Sequence, residues 1–295
     1  MEISKSLRII SLHDPLFTEK EISISVLRLD EIHPYISGNK WFKLKYNLEE
    51  FFRQEKKYLV TFGGAYSNHI MAVAAAGKDL GIKTIGIIRG DELDETSNPA
   101  LSFASQCGMK LFFISRDEYR HARNNFLPVG IYHALPVTTD DLYMLPEGGS
   151  NALAVKGCAE IVKLFPGDFD ITCCACGTGA TIAGISSALM ENQQAIGISV
   201  LNGEKFLEMN ILKLNGNRRN FLLIHDYNFG GYAKSNAGLD SFCENFFLMH
   251  QIKIEPVYTG KMFFAIYELA RQDFFKKGSK IVAVHTGGVF PELAR

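Results

Sequence analysis

Asp170-Ile171-Thr172-Cys173-Cys174-Ala175-Cys176-Gly177-Thr178-Gly179-Ala180-Thr181 is an apolar run that breaks on two glycines and resumes in small residues. The run 170–175 predicts a buried strand and 178–190 a helix, with the turn between them. Working outward, the same alternation recurs. Strands are expected at 58–62, 84–88, Lys110–Ile114, Leu142–Leu145, 196–201, 221–225 and 280–285. Helices are expected at 42–52, 67–80, Pro99–Gln106, 152–165, 205–214, 241–250 and 261–275. Upstream, 7–11 and 22–29 read as strands, and 116–140 as polar and irregular around Pro128 and Pro136. Strands alternating with helices of this length argue βαβ units and mainly parallel sheets. Chain crossings are expected near Lys40 and at the turn Gly148-Gly149-Ser150-Asn151. They divide the chain into a larger α/β domain, 1–44 with 146–295, and a smaller inserted one, 45–145. A small-molecule site is expected where two such domains face each other.

Composition excludes several classes. The 295 residues are 47% hydrophobic and 21% charged, an ordinary balance for a globular chain with a sizeable core. Net charge is -1, from 31 basic and 32 acidic residues, with no basic tract for nucleic acid. No apolar run has the length of a membrane span, and Met1-Glu2-Ile3-Ser4-Lys5 is not followed by a signal-peptide core. A cytoplasmic location is expected. Six cysteines, three of them in the opening run, read as free packing thiols in a reducing compartment.

The opening turn is also a candidate anion cradle. Glycines let successive backbone N–H groups converge, and the helix N-terminus adds positive potential. Cys176, Gly177, Thr178, Gly179, Ala180 and Thr181 would line it, with two threonine hydroxyls as extra donors. No Gly-Lys-Ser/Thr follows, so it is not a P-loop. As a dinucleotide fingerprint it lacks the third glycine, where Ile182 stands, although Glu204 could serve as a ribose-binding acid. Gly63-Gly64-Ala65-Tyr66-Ser67-Asn68-His69 repeats the strand–turn–helix shape. It offers Ser67, Asn68 and His69 to a substrate, or Ser67 or Asn68 as a plain helix cap. Thr286 closes the last strand in His285-Thr286-Gly287-Gly288. Tyr232 and Tyr258 lie in glycine-containing loops and are either acid/base groups or packed rings. Lys40, in Ser37-Gly38-Asn39-Lys40-Trp41-Phe42-Lys43, follows a turn tripeptide and opens an amphipathic segment. A lysine withdrawn from water loses its proton more readily, and the neutral amine adds to a carbonyl. Together with a phosphate cradle, that chemistry points to pyridoxal phosphate.

These motifs, in this order, resemble the pyridoxal-phosphate-dependent 1-aminocyclopropane-1-carboxylate deaminase / D-cysteine desulfhydrase family, over roughly 37–288. The resemblance implies the two-domain tryptophan synthase β-subunit-like fold (fold type II). It makes Lys40 the Schiff-base lysine, Asn68 the partner of the cofactor ring oxygen, Ser67 a neighbour of the substrate and 176–181 the phosphate loop. Tyr232 and Tyr258 become the active-site tyrosines, and a homodimer acting on a small amino acid is implied. Thr259 is the informative departure. The ring-opening deaminases look to carry a glutamate there, near the pyridine nitrogen, and the desulfhydrases a threonine. The expected reaction is therefore β-elimination from a small D-amino acid, giving keto acid, ammonia and sulfide; ring opening is the alternative. Ser37, Ala180 and the bulky Trp41-Phe42 also depart from the family pattern. Two readings outside it stay open: a nucleotide-dependent oxidoreductase using the Gly177 loop, and a non-catalytic protein binding pyridoxal phosphate or an amino acid.

Overall fold

The computed structural model describes residues 7–122, 127–134, 138–202 and 204–290, the side chains of Glu204 and Lys205 excepted. In chain order the elements begin β1 (Ile9–Ser11), α1 (Pro15–Glu19), β2 (Ser23–Leu27), α2 (Asn39–Arg53), β3 (Tyr58–Gly64), α3 (Asn68–Leu80) and β4 (Lys83–Arg89). There follow α4 (Pro99–Gln106), β5 (Lys110–Ile114), α5 (Arg116–Ala122), α6 (Val129–His133), β6 (Leu142–Leu145) and α7 (Ala152–Ala159). The last are β7 (Ile171–Cys176), α8 (Ala180–Ala188), β8 (Gln194–Ser199), α9 (Glu204–Asn215), β9 (Phe221–Ile224), α10 (Ala237–His250), α11 (Thr259–Arg271) and β10 (Lys280–Val284). Among the described residues, 7–42 with Val155–Val289 form one compact unit, and Lys43–Ala154 with Phe290 the other.

The first unit holds a six-stranded sheet in the order β1-β2-β10-β7-β8-β9, parallel except for the edge pair β1–β2. Its central strands are buried on both faces, which is why they read as unbroken apolar runs. One face is covered by α11, whose Met262, Phe263, Ile266 and Leu269 fall on a helical stripe and join the core with Ala175, Ile196 and Ala283. Phe263 and Phe246 of α10 stack with ring centroids 4.5 Å apart. Truncating such a ring costs about 3–5 kcal/mol, since the hole it leaves closes only in part. The second unit holds a four-stranded, wholly parallel sheet in the order β5-β4-β3-β6. Val60, Phe62, Ile85 and Ile87 form the centre of its core. A buried amide network sets the turn before α7. Asn47 Nδ2 donates to Asn151 Oδ1 (3.2 Å), Tyr143 Oη donates to Asn47 Oδ1 (2.9 Å), and Asn151 Oδ1 caps Ala154 N–H (2.9 Å).

Two local expectations need correction, and one helix lies where no element was expected. Residues 116–140 are not irregular throughout: α5 and α6 lie there. Ser115 and Glu118 form a reciprocal N-terminal box, with Glu118 N–H on Ser115 Oγ (3.3 Å) and Ser115 N–H on Glu118 Oε2 (3.2 Å). The segment between the first two strands contains α1, started by Asp14 Oδ1 on Leu16 N–H (2.9 Å) with Pro15 at the first helical position. The helix expected at 152–165 ends at Ala159 and continues as a 3₁₀ turn over Glu160–Leu164.

Candidate functional site

Parallel strands share an end, and the turns beyond their carboxyl ends are where open α/β sheets bind ligands. β7 and β10 are parallel neighbours, so 177–179 and 285–287 leave the first unit's sheet at the same end. The Ser37-Gly38-Asn39 turn is seated on the second of these. Asn39 N–H donates to Thr286 O (3.3 Å), and a Cβ at Gly38 would stand 1.9 Å from that oxygen. Gly38 also has φ +65°, so only glycine permits both the turn and the approach. Lys40 is thereby delivered to the end of β7. Its Nζ donates to Asn39 Oδ1 (2.9 Å), and Asn39 Nδ2 donates to Thr181 Oγ1 (2.7 Å). Lys40 is half-buried, and Asn39 and Thr181 are buried.

The turn into α8 is built to present backbone. Gly179, at the helix N-cap, has φ +89° and provides no capping side chain. A Cβ there would lie 2.7 Å from Ile211 Cγ1. Asn210 of α9 pins the turn by donating to Thr178 O (2.7 Å). Gly177 lies under the ring of Tyr258, 3.4 Å from where its Cβ would be. The first N–H groups of a helix have no partner inside the helix and carry its positive end. Here no side chain caps them, two of the three turn residues lack side chains, and Thr178 adds a hydroxyl. A phosphate monoester fits this arrangement. Thr181 accepts from Asn39 and keeps one hydroxyl proton to give. The dinucleotide alternative gains nothing: Ile182 is fully buried, and the Glu204 side chain lies outside the described residues.

Around Tyr258 the structure brings together groups that spacing alone did not. The rings of Tyr232 and Tyr258 meet edge to face with centroids 6.0 Å apart. Glu255 caps the start of α11, accepting from the N–H groups of Val257 (2.7 Å), Tyr258 (3.0 Å) and Thr259 (2.9 Å). Loss of water pushes its carboxyl up to about 7, against those same donors. Thr259 is fully buried. Its hydroxyl accepts from Glu255 N–H (3.1 Å) and donates to Glu255 Oε1 (3.2 Å). His285, buried beneath Thr286, accepts from Gly287 N–H at Nδ1 (3.3 Å) and so donates to Lys253 O from Nε2 (2.8 Å). Burial lowers its pKa, with the Asp30 carboxylate, 3.4 Å from Nδ1, pulling the other way.

In the second unit, Ser67 is the N-cap of α3, its Oγ accepting from Ile70 N–H (3.3 Å). Asn68, the first helical residue, is half-buried, and its side-chain amide makes no hydrogen bond among the described residues. His69 is buried, with Nε2 2.7 Å from Thr61 Oγ1. That hydroxyl donates its one proton to Leu145 O (3.0 Å), so Nε2 carries the imidazole proton.

Sequence reasoning missed Asn39, Asn210, Glu255 and Lys261 as site-forming residues. Lys261 left a signal: a lysine on the apolar stripe of α11. Asn210 left none, because its partner is 32 positions away. All six cysteines are free. Among the described residues no cluster of metal-ligating side chains occurs, and no helix is long and apolar enough to cross a membrane.

Comparison with known proteins bears on this geometry. The family described as pyridoxal-phosphate dependent enzyme matches residues 15–287. A bifunctional D-cysteine desulfhydrase/1-aminocyclopropane-1-carboxylate deaminase of Arabidopsis thaliana is 29% identical over 278 residues, covering 86% of this chain and 69% of that protein. A D-cysteine desulfhydrase of Klebsiella pneumoniae is 27% identical over 286 residues, covering 89% and 86%. Among solved structures, a 1-aminocyclopropane-1-carboxylate deaminase homologue superposes with a TM-score of 0.79 at 24% identity, over 99% of this chain and 92% of that one. The last is a likeness of fold, and the α/β fold expected from the sequence is the one found.

Proposed function

Because the chain belongs to the family of pyridoxal-phosphate dependent enzymes, we propose that it catalyses β-elimination from a small D-amino acid of the D-cysteine type, yielding a keto acid, ammonia and sulfide. The observation that carries this reading is the chain of hydrogen bonds from Lys40 through Asn39 to Thr181, laid against the uncapped N-terminus of α8. It ties one amine to one anion site, the pairing that an aldehyde bearing a phosphate requires.

The backbone N–H groups of Gly177, Thr178, Gly179, Ala180 and Thr181 and the Thr178 hydroxyl would hold the phosphate, with Cys176 leading into the turn. When bound, pyridoxal phosphate supplies the electron sink for the pair released at the substrate's α-carbon. Lys40 would be the residue that holds the cofactor's aldehyde end and the candidate to move the substrate's α-proton; Asn39 aims its amine by accepting from it. Tyr232 and Tyr258 serve the leaving group as acid and base. Thr286 borders the ligand beneath the Gly38 turn. Ser67 is assigned to the substrate, Asn68 to the cofactor's ring oxygen, and His69 supports both through its hold on Thr61.

Elimination is favoured over ring opening by residue 259. A carboxylate there would keep the ring nitrogen protonated and strengthen the sink, whereas Thr259 presents a hydroxyl whose proton is directed to Glu255. A homodimer and a cytoplasmic location complete the proposal.

Borohydride reduction of the holoenzyme followed by peptide mapping tests the lysine: the pyridoxyl group is expected on Lys40, and finding it on Lys43, Lys45 or Lys261 overturns the assignment. Turnover tests the reaction. Keto acid is expected from D-cysteine and not from 1-aminocyclopropane-1-carboxylate. The reverse preference selects the deaminase, and no keto acid from any D- or L-amino acid removes the enzyme reading.

A further inference from the structure

Lys261 lies in the first turn of α11 and is fully buried. Its Nζ donates to two backbone carbonyls, Asn228 O and Gly231 O, both at 2.7 Å. Those oxygens belong to a loop that no regular ladder holds. Phe229 (φ +54°), Gly230 (+91°), Gly231 (+112°) and Ala233 (+55°) all adopt left-handed backbone, which is strained for the two that carry a Cβ. The other ties are turn bonds inside the loop and one contact from outside: Gly231 N–H donates to Asn228 O (3.0 Å), Lys234 N–H to Gly231 O (3.2 Å), Gly230 N–H to Asn228 Oδ1 (2.8 Å), and Asn202 Nδ2 to Gly230 O (3.3 Å). Tyr232 follows directly on the second clamped carbonyl. Its ring rests on that of Tyr258, three residues before Lys261.

A buried ammonium is costly unless it is bonded on all sides. Loss of water lowers the Lys261 amine to about 8, with the Glu255 carboxylate pulling the other way. A methionine would fill the same volume in the apolar stripe without that cost. What methionine would not do is hold two converging carbonyls. The cation therefore specifies the loop and contributes nothing to the core that an apolar side chain would not.

We propose that Lys261 is the positioning residue for Tyr232: it clamps the 228–231 loop and so sets the Tyr232 ring against Tyr258. The proposal rests on the reading of Tyr232 as an active-site tyrosine.

The test pairs amide hydrogen exchange with a double-mutant cycle. In Lys261→Met, amides of 229–234 should exchange at least about 10-fold faster with or without cofactor, while those of the central strands stay as they were. The kcat for β-elimination should fall about 10–100-fold with KM changed less than about 3-fold, the signature of misplaced catalytic groups. In a Tyr232→Phe background the same substitution should cost less than about 3-fold, because the group it positions is already gone. Lys261→Gln, which keeps one donor pair, should recover part of both losses and serves if the methionine variant does not fold. Unchanged exchange in 229–234, or an equal cost of the lysine substitution in both backgrounds, overturns the clamp. If Tyr232→Phe alone keeps full kcat, the assignment of Tyr232 to the reaction falls, and loop exchange alone decides whether Lys261 clamps.

Discussion

The turns β3–α3 and β7–α8 have the same local grammar: a buried strand, glycines, hydroxyl residues and a helix rich in small residues. They finish differently. In α3, Ser67 turns its hydroxyl back on Ile70 N–H and satisfies its own helix. In α8, the cap position is a glycine at φ +89° with no side chain to turn back. The one buried hydroxyl of its first turn, Thr181, is held by Asn39. The first helix end is closed by its own side chain; the second has no side-chain cap. Two motifs that look alike as strings thus differ in what they still need.

That contrast can be broken in graded steps. Lys40→Ala should lower turnover by on the order of 10³ or more, as loss of a covalent group does. Phosphate-end affinity, read by equilibrium dialysis of cofactor, should fall far less. An equal collapse of both would mean that α8 does not hold the phosphate independently. Gly179→Ser tries to give α8 the closed end of α3. The left-handed backbone and the approach to Ile211 should cost about 2–4 kcal/mol in denaturant unfolding. Cofactor affinity should drop about 10–100-fold, the worth of one or two bonds to a charged phosphate. Retained affinity would move the anion site elsewhere.

Glu255→Gln addresses the cap that α11 takes from a half-buried carboxyl. The Glu255 pKa is raised from 4.5 to about 7 in the folded protein, so the protonated form is the one folding favours. Its contribution is present in full below about pH 4.5 and is lost as pH rises through 7, up to about 3 kcal/mol. The glutamine variant should flatten unfolding free energy between pH 5 and 7.5; an unchanged slope would show that Glu255 titrates normally. Ser67→Ala is the mildest step. It should cost about 1 kcal/mol of stability, the usual worth of a serine cap. Cofactor affinity should stay within about 2-fold and KM for the amino acid should rise. A large loss of cofactor would erase the distinction between the two turns.

Much of this was legible in the string. The apolar runs of β7, β8 and β10 and the glycine stops announced parallel strands, because a strand buried on both faces admits few polar residues. The Ser37-Gly38-Asn39 turn and the strand-to-helix turn at 177–179 were legible through their glycines. Where reading failed, short-range capping overrode composition: Ser115 with Glu118 makes a helix of a polar segment, and Asp14-Pro15 starts one in the segment between the first two strands, where none was read. Both signals were present and were outweighed by the low apolar content around them.

By itself, the sequence determined the α/β class and marked Lys40, the 177–181 turn and the hydroxyl at 259 as candidates, since each is local chemistry tied to a strand end or a helix start. Only the tertiary structure decided which groups complete them. Asn39 bridges to Thr181 across 142 positions, Lys261 reaches back 33 to the Asn228 carbonyl, and Glu255 claims the Thr259 hydroxyl inside a buried turn. The reason is physical: a buried polar atom must find its partner wherever the fold places one, and periodicity along a chain carries no record of that distance.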